Sequence, residues 1–521
     1  MTHPALPAVT VYDRLRHVAA ARPDACALEF QDQSFTYADI LEVVERAAAL
    51  LRSASIGFGD AVVSYATNSP DLLFVYFAAA KLGAVYVPVN PNMSAAEVGY
   101  IYGHSDAKLL LHDSLAAGVA ERLVPTQCRQ LLSNVTATTV PEEANLPPCG
   151  AVSRKTDFLI CYTSGSTGAP KAVVLDHGSQ VDVCASLSEF WGLTESDVTL
   201  VALPLGYLFG LTTASAAGLL SGGSVVLLPK YRPSDVLEAM IARHATIFHG
   251  VPTMFTMMLE YVEQNRASFD LSAVRQLICA GAPLPEEIAQ RFARTFGKPL
   301  RNYYAATECS PVIGHPDAHS RALPPGSIGC LAPGAEVRIV SAEGHDCPVG
   351  VEGEFYVRGA ATMNRYLKNP ELTATALSGG WFRTGDLGQV DAAGYYFITG
   401  RIKDTIFRGG ANIAPAEVEA VLSTHPDVAN VAVVGAPDKI YGEVPVAYIV
   451  PRGDSRPGEQ ALISHAQASL ADFKIPRHYV LVGGLPLGKT GKIDKSALKA
   501  AWALPDHGAC SFSSNVEDRQ K

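Results

Sequence analysis

The feature that most constrains the fold is a repeated alternation between amphipathic segments and short apolar runs, from about residue 38 to about 296. The segment 38–53 keeps apolar side chains at helical spacing, among them Val44 and Leu51. The run 60–65 that follows is typical of a strand. Because neighbouring parallel strands need a long crossover, usually a helix, the alternation predicts mostly parallel sheets flanked by helices. We therefore expect an α/β fold.

The pattern of apolar spacing and turn residues changes twice along the sequence, which predicts a division of the chain into structural units. Over about 324–401 helical spacing becomes rare and Gly-containing turns become frequent, so this stretch is predicted to be a β-rich subdomain. We assign 1–402 to a large N-terminal domain that includes this subdomain, and 403–505 to a small, mobile α+β domain at the C-terminal side. The polar residues 506–521 predict a disordered tail.

Composition excludes several classes of protein. The formal net charge is −10, which disfavours a nucleic-acid binder, because such a protein carries a basic face. The ten cysteines include no Cys-x-x-Cys pair, so a zinc or redox motif is not expected. No apolar run approaches the length of about 18 residues that a membrane span needs, and no signal peptide is visible at the start. We therefore expect a cytoplasmic protein without a transmembrane segment.

The stretch 158–175 gives the first indication of chemistry. Two apolar runs enclose a loop of hydroxyl residues and glycines that ends in Pro170-Lys171. Glycines let backbone N–H groups approach an anion, hydroxyls add donors, and Lys171 adds a positive charge. The pattern differs from the Walker loop, in which Gly-Lys-Ser/Thr opens a helix. It predicts a phosphate-binding loop between two strands; a flexible surface loop is the alternative that the loop alone leaves open.

Two further stretches suit nucleotide chemistry. Tyr304 lies close in sequence to Thr307 and Glu308, a combination suited to an adenine ring and a phosphate bridged by Mg²⁺. Asp386, held in the stretch 383–386, can accept both hydroxyl groups of a ribose. Taken singly, a packed tyrosine beside a surface glutamate and an ordinary turn aspartate explain the same residues.

The last two stretches lie toward the C-terminal side. Charged residues at 400–404, followed by Gly409 and Gly410, lie at the composition boundary, where a hinge is expected. Lys492, in the Gly-containing stretch 486–494, is presented on a tight turn. A charged linker and a solvated lysine are the alternatives for each stretch alone.

In order and content, these stretches resemble the adenylate-forming family, which groups acyl-CoA synthetases, peptide-synthetase adenylation domains and luciferases. The resemblance covers about residues 10–500. The stretches that are similar to the family's motifs are 162–171 for the phosphate loop, 304–308 for Tyr-Gly-x-Thr-Glu, 383–386 for the ribose, 400–404 for the hinge and 491–492 for the mobile catalytic lysine.

The resemblance implies an ATP-dependent carboxylic acid–CoA ligase that works in two steps. A carboxylate attacks the α-phosphate of ATP, giving an acyl-adenylate and pyrophosphate, and the CoA thiol then displaces AMP. ATP, Mg²⁺ and coenzyme A are the implied cofactors, and a small carboxylic acid is the implied partner. A homodimer is left open.

The resemblance also implies residue roles. Lys492 bridges the carboxylate and the α-phosphate, and rotation at the hinge Lys403 withdraws it and opens a pantetheine channel. The implied catalytic residues are Lys492, Glu308, Thr163 and Lys171, with Glu308 and Thr167 placing Mg²⁺. The implied nucleotide- and CoA-binding residues are Thr163, Ser164, Gly165, Ser166, Thr167, Gly168, Lys171, Gly281, Ala282, Pro283, Asn302, Tyr304, Thr307, Asp386, Arg401, Gly409 and Gly410.

The acyl pocket departs from the usual family pattern. Ala305 and Ala280 stand where glycines are common, and added methyl groups shorten the acyl tunnel. Tyr207 stands where many members carry histidine, and His249 is a second polar candidate for the pocket lining. For each of these two residues, plain packing in the core is the alternative that the sequence leaves open. We therefore expect a short- or medium-chain or aromatic acid rather than a long fatty acid.

Two other functions are compatible with the motifs. One is an acyl-adenylating enzyme that loads a separate carrier protein in place of CoA. The other is a non-catalytic scaffold that binds nucleotide, whose mark would be the loss of Lys492, Asp386 or Glu308. All three residues are present, which favours an enzyme.

Overall fold

Two large, mainly parallel sheets form the centre of the protein. The computed structural model describes residues 8–133, 152–163, 170–316, 324–408, 411–488 and 492–502. Helices and strands are numbered in chain order. The predicted tail 506–521 lies outside the described residues.

The larger sheet has ten strands. In spatial order they are β15 (Cys330–Leu331), β14 (Cys309–Gly314), β13 (Arg301–Ala306), β12 (Gln276–Ala280), β11 (Ile247–Gly250), β9 (Val198–Val201), β10 (Ser224–Leu227), β1 (Cys26–Phe30) and β2 (Gln33–Thr36), with β18 (Ala361–Thr362) beside β14. The run from β13 to β1 is parallel, and the outer pairs are antiparallel.

The second sheet has seven strands. They are β19 (Arg365–Tyr366), β8 (Lys171–Asp176), β7 (Asp157–Thr163), β4 (Val85–Val89), β3 (Ala61–Tyr65), β5 (Leu109–His112) and β6 (Arg129–Leu131). The run from β7 to β6 is parallel, whereas β8 and β19 are added antiparallel. The antiparallel edge matters for the site, because it carries Lys171.

Helices follow most of the parallel strands. They are α1 (Val11–Ala21), α2 (Tyr37–Ser53), α3 (Pro70–Leu82), α4 (Ala95–His104), α5 (Ala117–Leu123), α6 (His177–Trp191), α7 (Ala217–Leu220), α8 (Pro233–Ala242), α9 (Pro252–Asn265) and α10 (Glu286–Phe296), with a π-helical segment at Phe209–Ala216 before α7. None of the helices in the described part of the chain combines the length and the apolarity that crossing a bilayer requires.

Helix α3 shows how sequence and burial agree. It begins with Pro70, whose fixed φ suits the first helical position, and it ends at Gly83, which adopts a left-handed φ of 66°. Its side chains are apolar almost all round, the pattern of a helix that is buried on every side. Phe74 of α3 shares one core with Val225 of the larger sheet and Leu159 of the second sheet.

A third sheet is antiparallel and falls within the stretch predicted to be β-rich. Its strands are β16 (Glu336–Val340), β17 (Gly353–Arg358), β21 (Trp381–Val390) and β20 (Leu377–Ser378), with β22 (Tyr396–Arg401) also paired to β21, and the short helix α11 (Pro370–Ala376) precedes β20. Asp386 and Arg401 are direct cross-strand partners in this sheet.

The fourth sheet forms the core of the C-terminal unit. Its strands are β24 (Ala411–Ile413), β23 (Ile406–Arg408), β26 (Gly442–Pro451) and β25 (Val428–Asp438), with β27 (His478–Leu481) also paired to β26, and its helices are α12 (Pro415–Ser423), α13 (Glu459–Gln467) and α14 (Lys495–Trp502). Helices α12 and α13 share one core with this sheet, and Leu498 of α14 belongs to a second core. The predicted α/β fold class, with a β-rich part and a smaller α+β unit, is confirmed.

Two boundaries that the sequence predicts in the C-terminal unit were wrong. The apolar run 428–434 predicts a strand that ends at Val434, but β25 continues to Asp438, because it pairs with β26 through a stretch that local turn signals would have ended. The sequence also predicts a helix over 458–471, and that helix ends at Gln467. The predicted domain boundary after residue 402 lies in the short 3₁₀ turn Ile402–Asp404 between β22 and β23.

Burial of His177 predicts that the folded protein loses stability at acidic pH. The side chain is fully buried against Phe158, with ring centroids 4.5 Å apart, and neither ring nitrogen has a hydrogen-bond partner among the described residues. Burial lowers the pKa of His177 to about 4, although Asp176, Asp13 and Asp157 oppose the shift. Because the unfolded chain protonates first, stability is complete above about pH 6.5 and falls toward pH 4 by up to about 3 kcal/mol.

The measurement is the thermal midpoint at pH 5 relative to pH 7.5. We expect His177→Phe, which keeps a ring against Phe158, to lose less stability on acidification than the wild type. His17→Gln, which removes an exposed histidine, is the matched control and should behave as the wild type. An identical pH dependence in His177→Phe and wild type would contradict the assignment.

Candidate active site

The predicted phosphate-binding loop joins two antiparallel strands. Thr163 ends β7 and lies directly opposite Lys171, the first residue of β8. The loop positions predicted to bind phosphate, Ser164, Gly165, Ser166, Thr167 and Gly168, lie outside the described residues. The hairpin therefore fixes where Lys171 and the ends of the loop are held.

A tyrosine that the sequence analysis missed connects Lys171 to Glu308. The Tyr366 hydroxyl donates to Glu308 Oε1 at 2.8 Å, and Lys171 Nζ lies 5.5 Å from the centroid of the Tyr366 ring. Tyr366 is 3% exposed, and its pKa is raised by burial and then by the Glu308 charge. No motif marked Tyr366, because only the pairing of β19 with β8 brings it to this place.

Glu308 lies in the turn between β13 and β14. Its backbone carbonyl accepts a hydrogen bond of 2.7 Å from the Met363 N–H, which ties the turn to the segment that leads into β19. No group of three or more His, Cys, Asp or Glu side chains that could hold a metal occurs within the described residues. Glu308 thus offers a lone carboxylate, with Oε1 already bonded to Tyr366, and this suits Mg²⁺ because that ion takes one or two carboxylates together with phosphate oxygens.

The loop 281–283 and the adenine candidates lie at one edge of the larger sheet. Strands β12 and β13 are parallel neighbours, and Ala280 is paired with Tyr303. The loop that follows β12 therefore lies beside the end of β13, where Tyr304 is found. Gly281 adopts a φ of 87°, a left-handed conformation that favours glycine. Asn302, on the same strand, accepts the Tyr303 N–H through Oδ1 at 3.1 Å.

Asp386 is the acceptor on which the ribose prediction depends. The Tyr304 hydroxyl donates to Asp386 Oδ2 at 2.6 Å, and Arg401 donates to Oδ1. Asp386 is 6% exposed. The pKa of Tyr304 is raised, mainly because its own hydroxyl is buried and secondly because the Asp386 charge lies close to it. The structure therefore brings together three residues that the sequence assigned to adenine and ribose, although they come from two sheets.

Hydrogen bonds of the backbone at Gly385 and Asp386 hold the Asp386 carboxylate in its orientation. Gly385 has a φ of 70°, and its N–H donates to Glu354 Oε1 at 3.1 Å. The Asp386 N–H donates to Thr384 Oγ1 at 3.0 Å. Glycine adopts this φ without strain, which explains why Gly385 precedes Asp386.

Lys492 lies near the nucleotide candidates, although it belongs to the C-terminal unit. Its carbonyl accepts a hydrogen bond from the Gly488 N–H at 2.7 Å, which ties Lys492 to the end of the preceding described segment. The side chain keeps contact with solvent, but protein atoms crowded around the ammonium group lower its pKa. Arg401 acts in the same direction, whereas Asp386 opposes it.

Of the remaining residues predicted in the hinge and the C-terminal unit, the structure describes Lys403 only. Lys403 is exposed in the 3₁₀ turn Ile402–Asp404 between the two units. Gly409 and Gly410 lie outside the described residues. An ion pair of 2.7 Å between Arg452 of the C-terminal unit and Glu287 of α10 also joins the two units.

His249 lies in an aromatic cluster, which we define as Trp191, Phe209, His249 and Tyr303. The His249 ring meets Trp191 and Phe209 edge-on, with centroid distances of 5.2 and 5.7 Å, and Trp191 meets Tyr303 at 5.2 Å. His249 is 2% exposed, and burial lowers its pKa to about 3, so the ring is neutral near pH 7. Sequence reasoning had selected only the histidine, since the other three carry no motif.

The other predicted pocket residues lie around this cluster or close to it in sequence. Ala280 is buried and paired with Tyr303 across two strands. Ala305 follows two residues later on β13 and is half-buried. Tyr207 lies in the turn between β9 and the π-helical segment that contains Phe209, and burial raises its pKa.

Comparison with known proteins shows the family to which this chain belongs. The model of the AMP-binding enzyme family matches residues 15–367, and that of the AMP-binding enzyme C-terminal domain matches residues 417–492. Feruloyl-CoA synthase of Amycolatopsis sp. is 34% identical, with 92% of this chain and 96% of that protein covered. Indoleacetate–CoA ligase of Aromatoleum aromaticum is 32% identical, with 93% and 96% covered.

Solved structures agree with the sequence comparisons. ATP-bound MatB from Rhodopseudomonas palustris has a TM-score of 0.87 at 28% identity, covering 95% of this chain and 98% of that one. The anthranilate CoA ligase AuaEII in complex with anthranoyl-AMP also has a TM-score of 0.87, at 26% identity, covering 96% and 99%.

Proposed function

We propose an aromatic acid as the substrate of this chain, which belongs to the AMP-binding enzyme family and is an ATP-dependent acid–CoA ligase that forms an acyl-adenylate and then an acyl-CoA. The observation that carries the proposal is the aromatic cluster beside Ala280. We further propose the residue roles given below, with Mg²⁺ as the ion that accompanies ATP.

The first step joins the acid to the nucleotide. A carboxylate oxygen of the acid forms a bond to the α-phosphorus of ATP, and the bond from that phosphorus to pyrophosphate breaks. Negative charge develops on the α-phosphate oxygens as this happens. Lys492 supplies a positive charge at that point, and Asp386 and Glu308 favour its protonated form against the desolvation that lowers its pKa.

The leaving pyrophosphate needs its own partners. We propose that Lys171, the first residue of β8, holds it together with the hydroxyls and backbone N–H groups of residues 163–168; the pairing of Lys171 with Thr163 at the end of β7 supports this role. Glu308 would hold Mg²⁺ through the carboxylate oxygen that Tyr366 leaves unoccupied, and the ion would neutralise phosphate charge. Tyr304 would contact the adenine with its ring, while Asp386 accepts from the ribose hydroxyls.

The second step exchanges AMP for the thiol. The CoA sulfur loses its proton to solvent and forms a bond to the acyl carbonyl carbon, while the bond from that carbon to the phosphate oxygen breaks and AMP leaves with the electron pair. Lys492 has no role in this step, so the C-terminal unit is free to turn at Lys403 and bring residues 409–410 toward the acyl group. The proposed boundary between 402 and 403 places the whole turning unit after β22.

The aromatic cluster favours a planar acid over a long alkyl chain. Aromatic rings pack edge-on against other rings, an arrangement that a flat substrate can join. Ala280 is the cross-strand partner of Tyr303, so a change at Ala280 lies beside the cluster. The printed names of similar proteins, feruloyl, indoleacetate and anthranilate ligases, are those of aromatic acids, which supports the same proposal.

A substrate panel tests this proposal. Pyrophosphate release is measured with CoA present over benzoate-type, cinnamate-type, short-chain, medium-chain and palmitic acids. We expect the highest kcat/KM for an aromatic acid. A higher kcat/KM for palmitate, or for a short- or medium-chain acid, than for every aromatic acid would contradict the proposal.

An enlarged side chain at Ala280 gives a second test. We expect Ala280→Leu to lower kcat/KM for the aromatic acid about 10- to 100-fold, because overpacking a closed site costs about 1–3 kcal/mol. The KM for ATP should stay unchanged, since the change lies on the acyl side. An equal loss for acid and ATP would show that the variant damages the site as a whole.

A further inference from the structure

Tyr366 joins two groups that come from distant parts of the sequence. Lys171 begins β8 on the second sheet, whereas Glu308 lies in a turn of the larger sheet. The tyrosine hydroxyl donates to the Glu308 carboxylate at 2.8 Å, and the Lys171 ammonium lies 5.5 Å from the ring centroid. A single side chain thus contacts both the cation and the anion at the pyrophosphate side of the site.

The surroundings of Tyr366 hold it in one orientation. Its position on β19 is fixed by pairing with Val173, two residues after Lys171. Its backbone N–H donates to Thr373 Oγ1 of α11 at 2.9 Å. With 3% of the residue exposed, the ring has little freedom to leave this position.

The direction of the hydrogen bond between Tyr366 and Glu308 follows from the chemistry of the two groups. The phenol carries a proton that it donates, and the carboxylate oxygen accepts it. A hydrogen bond to a charged acceptor is stronger than one between neutral groups. The bond fixes Glu308 Oε1 and leaves Oε2 without a hydrogen-bond partner among the described residues.

We propose that Tyr366 is a positioning residue for the first half-reaction, which orients the Glu308 carboxylate through its hydroxyl and the Lys171 ammonium through its ring. This inference rests on the proposed function of the site. It assigns Tyr366 a role when ATP and its metal bind and pyrophosphate leaves. It assigns no role in thioester formation, when pyrophosphate is gone.

The two parts of the side chain allow the role to be separated from packing. Tyr366→Phe keeps the ring over Lys171 and removes only the hydroxyl bond to Glu308. Tyr366→Leu removes the cation–π contact as well. Tyr86→Phe is the matched control, because Tyr86 is fully buried in the same sheet and its hydroxyl bonds Ser64, away from the site.

The experiment first measures ATP binding by calorimetry with and without Mg²⁺. For Tyr366→Phe we expect the Kd for ATP to rise about 5-fold with Mg²⁺ and to stay unchanged without it, since the hydroxyl acts through Glu308. For Tyr366→Leu we expect weaker binding in both conditions, because the Lys171 contact is lost too. Tyr86→Phe should match the wild type in both. Equal values for Tyr366→Phe and wild type in both conditions would overturn the proposal.

Kinetics of the two half-reactions complete the test. Tyr366→Phe is expected to lower kcat for acid-dependent ATP–pyrophosphate exchange about 10-fold and to leave thioester formation from supplied acyl-adenylate unchanged. In a Glu308→Gln background, Tyr366→Phe should add little, because the two residues act as a unit. Independent, multiplying losses, or an equal loss in both half-reactions, would indicate a packing role instead. If the wild type exchanges pyrophosphate with no acid, the proposed function fails, whereas the calorimetric comparison still decides the role of Tyr366.

Discussion

Lys492→Ala is expected to lower the rate of acid-dependent ATP–pyrophosphate exchange by about 100- to 1000-fold and to leave thioester formation from supplied acyl-adenylate close to the wild-type rate. The reason is positional. Lys492 lies within electrostatic reach of Asp386, Arg401 and Glu308, the residues between which we propose that the α-phosphate binds in the first step. The second step displaces AMP and, in the proposed mechanism, follows withdrawal of this lysine.

The pH dependence gives the same prediction a second readout. Desolvation, Arg401 and Lys403 lower the pKa of Lys492, so its positive charge is present below that pKa and is lost as pH rises through it. We therefore expect the exchange rate of the wild type to fall on the alkaline side. The alkaline fall should be absent from thioester formation and from the residual exchange of Lys492→Ala.

A matched lysine serves as the control. Lys499 is exposed on α14 of the same unit, so Lys499→Ala should leave both half-reactions unchanged. Equal losses of both half-reactions in Lys492→Ala would contradict the turning of the C-terminal unit. Unchanged exchange would contradict the role of the lysine itself.

Asp386→Asn is expected to lower kcat/KM for ATP by about 100-fold. The substitution keeps the shape of the side chain but removes the charge that pairs with Arg401 and accepts from Tyr304. Removing one member of a buried ion pair leaves the other uncompensated, a cost of about 3–5 kcal/mol in a closed interior. Here the Arg401 side chain is 45% exposed, so water compensates part of that cost and the fold should survive.

Asp386→Asn and Lys492→Ala are expected to differ in which of the two half-reactions they impair. AMP stays bound until the thiol displaces it, so the ribose contact serves both steps. Asp386→Asn should therefore impair both exchange and thioester formation, whereas Lys492→Ala impairs one. Asp391→Asn is the control, since Asp391 lies in the exposed turn between β21 and β22 and bonds only local N–H groups among the described residues. An unchanged KM for ATP in Asp386→Asn would contradict the ribose assignment.

Much of the fold was predictable because its signals are local. Helical spacing in 38–53 depends on residues within one or two turns, and this helix was placed within one residue of its observed bounds, Tyr37–Ser53. Strand β25 was too short in the prediction, because its last residues are held by pairing with β26 rather than by their own preference. Local turn chemistry and cross-strand pairing compete at such positions, and pairing decided the outcome.

The candidate site likewise has a part that the sequence predicts and a part that only the structure shows. The motifs around Lys171, Tyr304, Glu308, Asp386 and Lys492 were visible in the sequence, because each is a short arrangement of residue types with its own chemistry. Their family was visible too, since five motifs in one order seldom coincide by chance. The sequence could not show which of these residues contact one another.

By itself, the sequence determined the α/β class, the nucleotide motifs and the family they resemble, because spacing and turn chemistry act over a few residues. Only the tertiary structure decided that Tyr304 bonds Asp386, which lies 82 residues away, and that Tyr366 lies between Lys171 and Glu308. It also decided that His249 lies among three aromatic rings. These contacts depend on strand order and register, and register is set by the packing of whole sheets rather than by any short stretch of chain.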